Sequence, residues 1–287
     1  MTAIIKKEMR AYFTSVAGYG FLTVLLVLTG MFFSIANIMG LNPYYAYTLN
    51  QSTILFLILI PVLTMRLFAE ESRQKTDQLL YTAPLTVAQI VVGKFVAAML
   101  LFLTGMVITM IFPLIMAFYG RIPTAETIGA FTGFILLGAC YIAVGIFISS
   151  LTENQIIAAV ATFAVLFLFI ILDGLAVSMP VSRSSSAIFL ALVAAGLSFI
   201  MYRSTKSKLV AIILFVLLAA GGTTVYFINN LLFDGVITKV MNWFSLLNRF
   251  GNFMEGVLSI SDIVYYVTFA FAFVFLTVNT IEKRRWA

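Results

Sequence analysis

Long apolar runs alternate with short polar segments along this chain. Spanning a bilayer takes roughly 17–25 mostly apolar residues as a helix, and eight stretches meet that requirement or approach it: Ala17–Asn37, Ser52–Ala69, Phe95–Phe118, Thr127–Ser149, Ile156–Ala176, Ala187–Tyr202, Leu209–Ile228 and Ile263–Ile281. The runs are continuously apolar and lack the two-residue alternation of a membrane barrel, so the pattern predicts an all-α polytopic membrane protein. Two boundaries carry helix-start chemistry. Thr86-Val-Ala-Gln89 and Thr152-Glu-Asn-Gln155 each fit a capping box, in which two side chains satisfy orphan backbone N–H groups.

Ahead of the first run, Ile4, Ile5, Met9, Tyr12 and Phe13 alternate with Lys6, Lys7 and Arg10. The spacing predicts an amphipathic helix lying on the membrane surface; ordinary basic flanking of a first span is the alternative. A signal peptide is excluded, because the apolar run is too long and no small-residue cleavage site follows it. Two polar segments exceed simple turns. Glu70–Lys94 is one; the other is Asn229–Asp262, where Trp243, Phe244, Phe250 and Phe253 among polar residues predict short helices at the opposite interface.

Composition settles the class. The chain is 62% hydrophobic and 10% charged, with a mean hydropathy of +1.10, too few charges to cover a water-soluble protein. The net charge of +6 matters less than its placement. With the N-terminus inside, 13 of the 17 lysines and arginines fall on the cytoplasmic side and four, Arg121, Arg183, Lys239 and Arg249, outside. The positive-inside rule therefore puts both termini in the cytoplasm.

Candidate chemistry is sparse. Histidine is absent and Cys140 is the single cysteine, which removes the commonest general base and metal ligand and any intrachain disulfide. Gly93-Lys94-Phe95 lacks the upstream glycine and the Ser/Thr of a phosphate-binding loop. The chain is therefore read as no enzyme by itself. Asp173, before Gly174, is an ionisable group at membrane depth and so a candidate for a pathway or gate; a helix-end aspartate turning the chain is the bland alternative. Pro61 and Pro113 should kink their spans, with or without a role in a pathway. Gly129, Gly133, Gly138 and Gly145 give the fourth span a small-residue face suited to close helix packing.

The segment Glu70-Glu-Ser-Arg-Gln-Lys-Thr-Asp-Gln-Leu-Leu-Tyr-Thr-Ala-Pro84 is the most informative. Thr76 is a fair N-cap, Asp77 complements the helix dipole, Leu79, Leu80 and Tyr81 form an apolar knob, and Pro84 stops the helix. Such a helix suits docking to a cytoplasmic partner; a solvated loop on lipid headgroups is equally compatible.

Glu70-Glu71, Thr76, Leu79-Leu80, Pro84 and then Ile90-Val-Val-Gly-Lys94 resemble the cytoplasmic loop of type-2 ABC transporter permeases, where the pattern runs roughly Glu-Glu-Lys-Arg-x-Gly-Thr-x-Glu-x-Leu-x-x-x-Pro. The chain departs from it at Lys75, where the glycine stands, and at Asp77-Gln78. Gly256–Asp262, Tyr265-Tyr266 and Ile281–Trp286 resemble the last span of the gliding-motility-type branch.

The resemblance implies a six-span core at 1–175 and 229–287, with 187–228 as an extra hairpin and a coupling helix at 76–84. It implies export by a permease that pairs with a second permease, a homodimer by preference, and with ATPase subunits that bind ATP and Mg. The resemblance also implies a bacterial cytoplasmic membrane and an extracellular accessory protein, with the loop at 229–262 as its docking site or, alternatively, as an external gate. Glu70 and Glu71 are then salt-bridging partners at the coupling joint. No cofactor in this chain and no nucleic acid are expected. An ATPase-independent channel or secondary transporter, and a membrane scaffold or sensor, are the alternatives.

Overall fold

A computed structural model describes residues 1–76, 85–178 and 235–286, with isolated positions between 188 and 217. Among the described residues the regular secondary structure is helical. The elements are α1 (Thr2–Thr14), α2 (Val16–Phe33) continued by a π-helical turn (Ser34–Met39), α3 (Tyr45–Ser52), α4 (Phe56–Arg73), α5 (Val87–Thr109), α6 (Ile111–Tyr119), α7 (Thr124–Leu151), α8 (Gln155–Ser178), α9 (Val236–Phe244), α10 (Leu246–Met254) and α11 (Ile260–Trp286). Among the described residues six candidate spans emerge: Val16–Met39, Tyr45–Arg73, Val87–Tyr119, Thr124–Leu151, Gln155–Leu172 and Ile260–Arg284. They coincide with six of the eight apolar runs. The hairpin expected at 187–228 lies largely outside the described residues.

The chain divides into two compact units, Met1–Phe169 with Leu246–Ala287, and Ile170–Ser245. In the second unit, α9 follows Gly235, whose φ of +67° suits a residue without Cβ, and the Thr238 hydroxyl donates to the Gly235 carbonyl at 2.9 Å.

In the first unit α7 is the central element, packed by α3, α4, α5, α10 and α11. Its glycines explain why neighbours come so close. A Cβ on Gly129 would lie 2.3 Å from the Phe253 carbonyl oxygen, and one on Gly133 2.7 Å from the Phe253 Cβ. A Cβ on Gly138 would meet the Phe102 ring at 2.5 Å, and one on Gly145 the Thr64 hydroxyl at 2.3 Å. At 3.6 residues per turn, Gly129 and Gly133 are ~40° apart, while Gly138 and Gly145 fall on nearly the opposite side. The single small-residue face expected from the sequence is thus two faces, one seating α10 and the other α4 and α5. Between α4, α5 and α7 the rings of Phe56 and Phe134 (4.5 Å), Phe102 (5.7 Å from Phe56) and Tyr141 (5.5 Å from Phe56) form the core, in offset and edge contacts that favour aromatic pairs.

The expected helix boundaries are met at Thr86 and revised at Thr152. Thr86 and Gln89 form the full capping box. Before α8, however, Asn154 is the cap, its Oδ1 accepting from the N–H groups of Ile156 (2.9 Å) and Ile157 (3.4 Å). Thr152 instead accepts from the Asn154 N–H, because α7 still holds Thr152 as its last boundary residue.

The prolines act differently from one another. Pro113 lacks the N–H that would reach the Thr109 carbonyl, and the helix breaks there into α5 and α6. Pro61 is buried inside α4 without ending it, the irregular turn of that span being the 3-10 segment Thr53–Leu55. Of the aromatic residues expected at an interface, Phe250 and Phe253 are instead buried against α7, while Trp243 is exposed.

Candidate functional site

The end of α4 begins the site. Its last turn closes in a Schellman motif: the Thr76 N–H donates to the Glu71 carbonyl (3.0 Å) and the Lys75 N–H to the Ser72 carbonyl (3.2 Å). The Thr76 hydroxyl also reaches the Glu71 carbonyl. This motif needs a left-handed residue, and Lys75 supplies it with φ +57°. For a side chain bearing Cβ that conformation costs about 1–2 kcal/mol. Lys75→Gly is expected to raise stability by about 0.5–1 kcal/mol, net of glycine's greater unfolded freedom, with Lys75→Ala showing no such gain; thermal unfolding in detergent checks both.

Helix α1 presents Ile4, Glu8 and Tyr12, four residues apart, as one buried stripe packed chiefly on α5. Ile4 lies against Gly93, where a Cβ would come within 3.1 Å of it. Lys6, Lys7 and Arg10 stay exposed. The helix expected to rest its apolar face on a membrane surface therefore docks that stripe on protein, because the stripe contains an acid that needs a partner.

The partner is Lys94, 1% exposed. Its ammonium donates to the Leu67 carbonyl at 2.6 Å and to Glu8 Oε1 at 3.1 Å, and it is ion-paired with Glu71 Oε2 at 2.8 Å without an aligned hydrogen bond. The Phe68 ring lies 4.9 Å away. Glu71 is also held by Lys7, whose Nζ donates to Oε1 at 2.7 Å, and Lys7 stands 3.5 Å from Glu8. Two cations and two carboxylates thus form a neutral cluster joining α1, α4 and α5, which makes burial of its charges tolerable. Partial burial draws the Lys7 pKa down, but the hydrogen bond and charge of Glu71, with Glu8 behind it, outweigh this and hold it above the ordinary lysine value.

Burial pushes the Tyr12 phenol pKa up, and its hydroxyl donates to the Leu63 carbonyl at 3.3 Å. Glu70 pairs with Arg66 at 2.8 Å. From the other side α7 grips α4: Ser149 Oγ accepts from the N–H groups of Phe68 and Ala69 and donates to the Met65 carbonyl. A cavity of about 580 Å³ opens between α1 and α4, bounded by Lys7, Tyr12, Arg66, Glu70, Glu71 and Thr76.

Residue by residue, Glu70 and Glu71 are ion-paired within the chain, and Thr76 belongs to the end of α4. Asp77, Leu79, Leu80 and Pro84 lie outside the described residues. Asp173 lies in α8, its carboxylate outside the described side chains, and Pro61 and Pro113 are not part of the cluster. Glu8 and Lys94 are the partners that sequence reasoning missed. The signal was present: Glu8 stands four residues from Ile4 and from Tyr12, an acid on an apolar stripe.

A family model described as ABC-2 family transporter protein matches residues 39–188. The chain belongs to this family. It is a multi-pass permease subunit, and in ABC-2 transporters the ATPase activity sits in a separate subunit. No curated protein and no solved structure matches the chain. The ABC-2 match spans α3 to α8 and so includes Glu71 and Lys94, whereas Glu8 comes from α1, ahead of the matched residues.

A second polar joint of the ABC-2 chain lies between α10 and α11. Asp262, 5% exposed, accepts from Arg249 at 2.7 Å and from the Asn252 amide at 2.8 Å, and the Arg249 guanidinium lies 3.9 Å over the Tyr265 ring. The Tyr266 hydroxyl donates to the Leu246 carbonyl at 2.6 Å. These bonds fix the short helix α10 to the start of the last span.

Proposed function

We propose that the segment between α4 and α5 is the coupling element through which a cytoplasmic ATPase drives this permease. The observation that carries this reading is the Lys94 cluster: it ties the residues flanking the segment, Glu71 before it and Lys94 after it, to Glu8 of α1. A push on 77–84 would act on α1, α4 and α5 together and not on one helix alone. ATP-driven closure of the ATPase subunits would then shift the spans between inward and outward states. ATP and Mg would be bound by that partner.

Positive-inside placement supports cytoplasmic termini, and an even number of spans agrees with it. The eight-span count, the gliding-motility-type branch, export, a two-fold permease dimer, a bacterial cytoplasmic membrane and an extracellular accessory protein at 229–262 complete the proposal; the sequence resemblance supports them.

The test is affinity purification of the tagged chain in mild detergent, wild type against Leu79→Asp with Leu80→Asp. An ATPase that co-purifies with wild type and is lost from the variant is the expected result. Wild type without ATPase in several detergents would put the channel or scaffold reading ahead.

A further inference from the structure

At the end of the spans opposite the Lys94 cluster, α2 leaves its regular path in the π-helical turn Ser34–Met39, with the Gly40 N–H bonding the Ile35 carbonyl at 3.0 Å. Turns of this kind are rare and frequently mark functional sites. Here a buried side chain enforces the shape. Asn37 donates to the carbonyls of Asn42 (2.7 Å) and Tyr44 (3.1 Å) and accepts from the Thr48 hydroxyl. The Tyr44 N–H in turn donates to Asn42 Oδ1 at 2.9 Å. The clamped loop holds Leu41 at φ +50°, a conformation unfavourable for leucine, and 86% exposed. Strained residues persist only where their surroundings over-determine them, and they gather at ligand clamps.

What this loop frames is a cavity of about 590 Å³ between the π turn and the end of α6, within the ~300–1,000 Å³ of small-molecule sites. Phe33, Ile38, Leu41, Ile115 and Met116 make its walls apolar, and Phe33 stacks on Phe112 at 4.9 Å. Arg121 also lines the cavity, is exposed, and has no acidic partner among the described residues. An apolar chamber with a guanidinium unpaired among the described residues fits an acyl chain attached to an anionic headgroup.

We propose that this cleft seats one anionic glycerophospholipid from the leaflet at that end of the spans, its chain against Ile38, Leu41 and Met116 and its phosphate on Arg121. The preformed clamp through Asn37 reduces the ordering cost of binding. Arginine suits a phosphate because its planar fork can donate two parallel hydrogen bonds. The proposal does not rest on the coupling role of 77–84.

Native mass spectrometry of the purified full chain, titrated with phosphatidylglycerol, phosphatidylcholine or glycerol phosphate, tests it. Wild type is expected to retain one phosphatidylglycerol with a preference over phosphatidylcholine of roughly fivefold, the effect of one arginine near an anionic surface. Arg121→Gln should abolish the preference while leaving the melting temperature unchanged. Met116→Trp, which fills the chamber, should lose the retained lipid of either kind. Equal retention of the two lipids by wild type, or a preference that survives Arg121→Gln, would overturn the proposal. Glycerol phosphate binding as tightly as the lipid would also overturn it, by assigning the site to a free phosphate.

Discussion

Replacing Lys94 with methionine is expected to destabilise the protein by about 3–5 kcal/mol, the cost of breaking a buried ion pair by removing one partner. Methionine approximates the length and volume of the lysine stem, so the loss comes from charge and not from a cavity. It leaves Glu8 and Glu71 facing each other with only Lys7 between them, and it frees the Leu67 carbonyl. A second change makes the argument specific. Adding Glu8→Gln to Lys94→Met restores neutrality, with Lys7 still paired to Glu71, and should recover more than half of the lost stability. Lys7→Ala alone should cost no more than ~1 kcal/mol, because its side chain is 56% exposed and water screens the pair. Melting curves of the three variants in detergent decide the matter. A Lys94→Met variant that melts with wild type would mean that the cluster does not hold the three helices together.

Gly129→Ala is expected to have the next largest effect. The added Cβ meets a backbone oxygen, Phe253 O, at 2.3 Å, and a backbone atom cannot swing aside as a side-chain tip can. Helix α10 must therefore shift away from α7, at about 1–3 kcal/mol, the usual cost of overpacking. Phe253, fully buried in the native protein, reports the shift. With Phe253→Cys in both backgrounds, a water-soluble maleimide should leave the single variant unlabelled and react when Gly129→Ala is present. Cys140 is buried and adds little background. Equal protection in the two backgrounds would show that α10 accommodates the methyl group without moving.

The apolar runs located the six candidate spans because lipid demands a continuous apolar exterior, a property of composition that needs no knowledge of neighbours. The box at Thr86 was legible for a similar reason, since it is satisfied within one turn. At Thr152 the same pattern misled: Asn154, one residue before the helix, competes for the orphan N–H groups and wins. Lys75 stands where the family pattern has glycine, and its positive φ gives that departure a physical content, a strained helix stop in place of a relaxed one.

The sequence by itself determined that this is a multi-pass helical protein of the ABC-2 kind, and where its six described spans run, because solvent class and local hydrogen bonding are written in nearby residues. Only the tertiary structure decided what the polar residues inside it do. Glu8, Glu71 and Lys94 are separated by 63 and 23 positions along the chain, and nothing local distinguishes a lysine that flanks a membrane from one that is buried. The choice depends on which oxygens the packing of α1, α4 and α5 delivers to its ammonium. The face on which each α7 glycine serves is likewise set by the helix that arrives there.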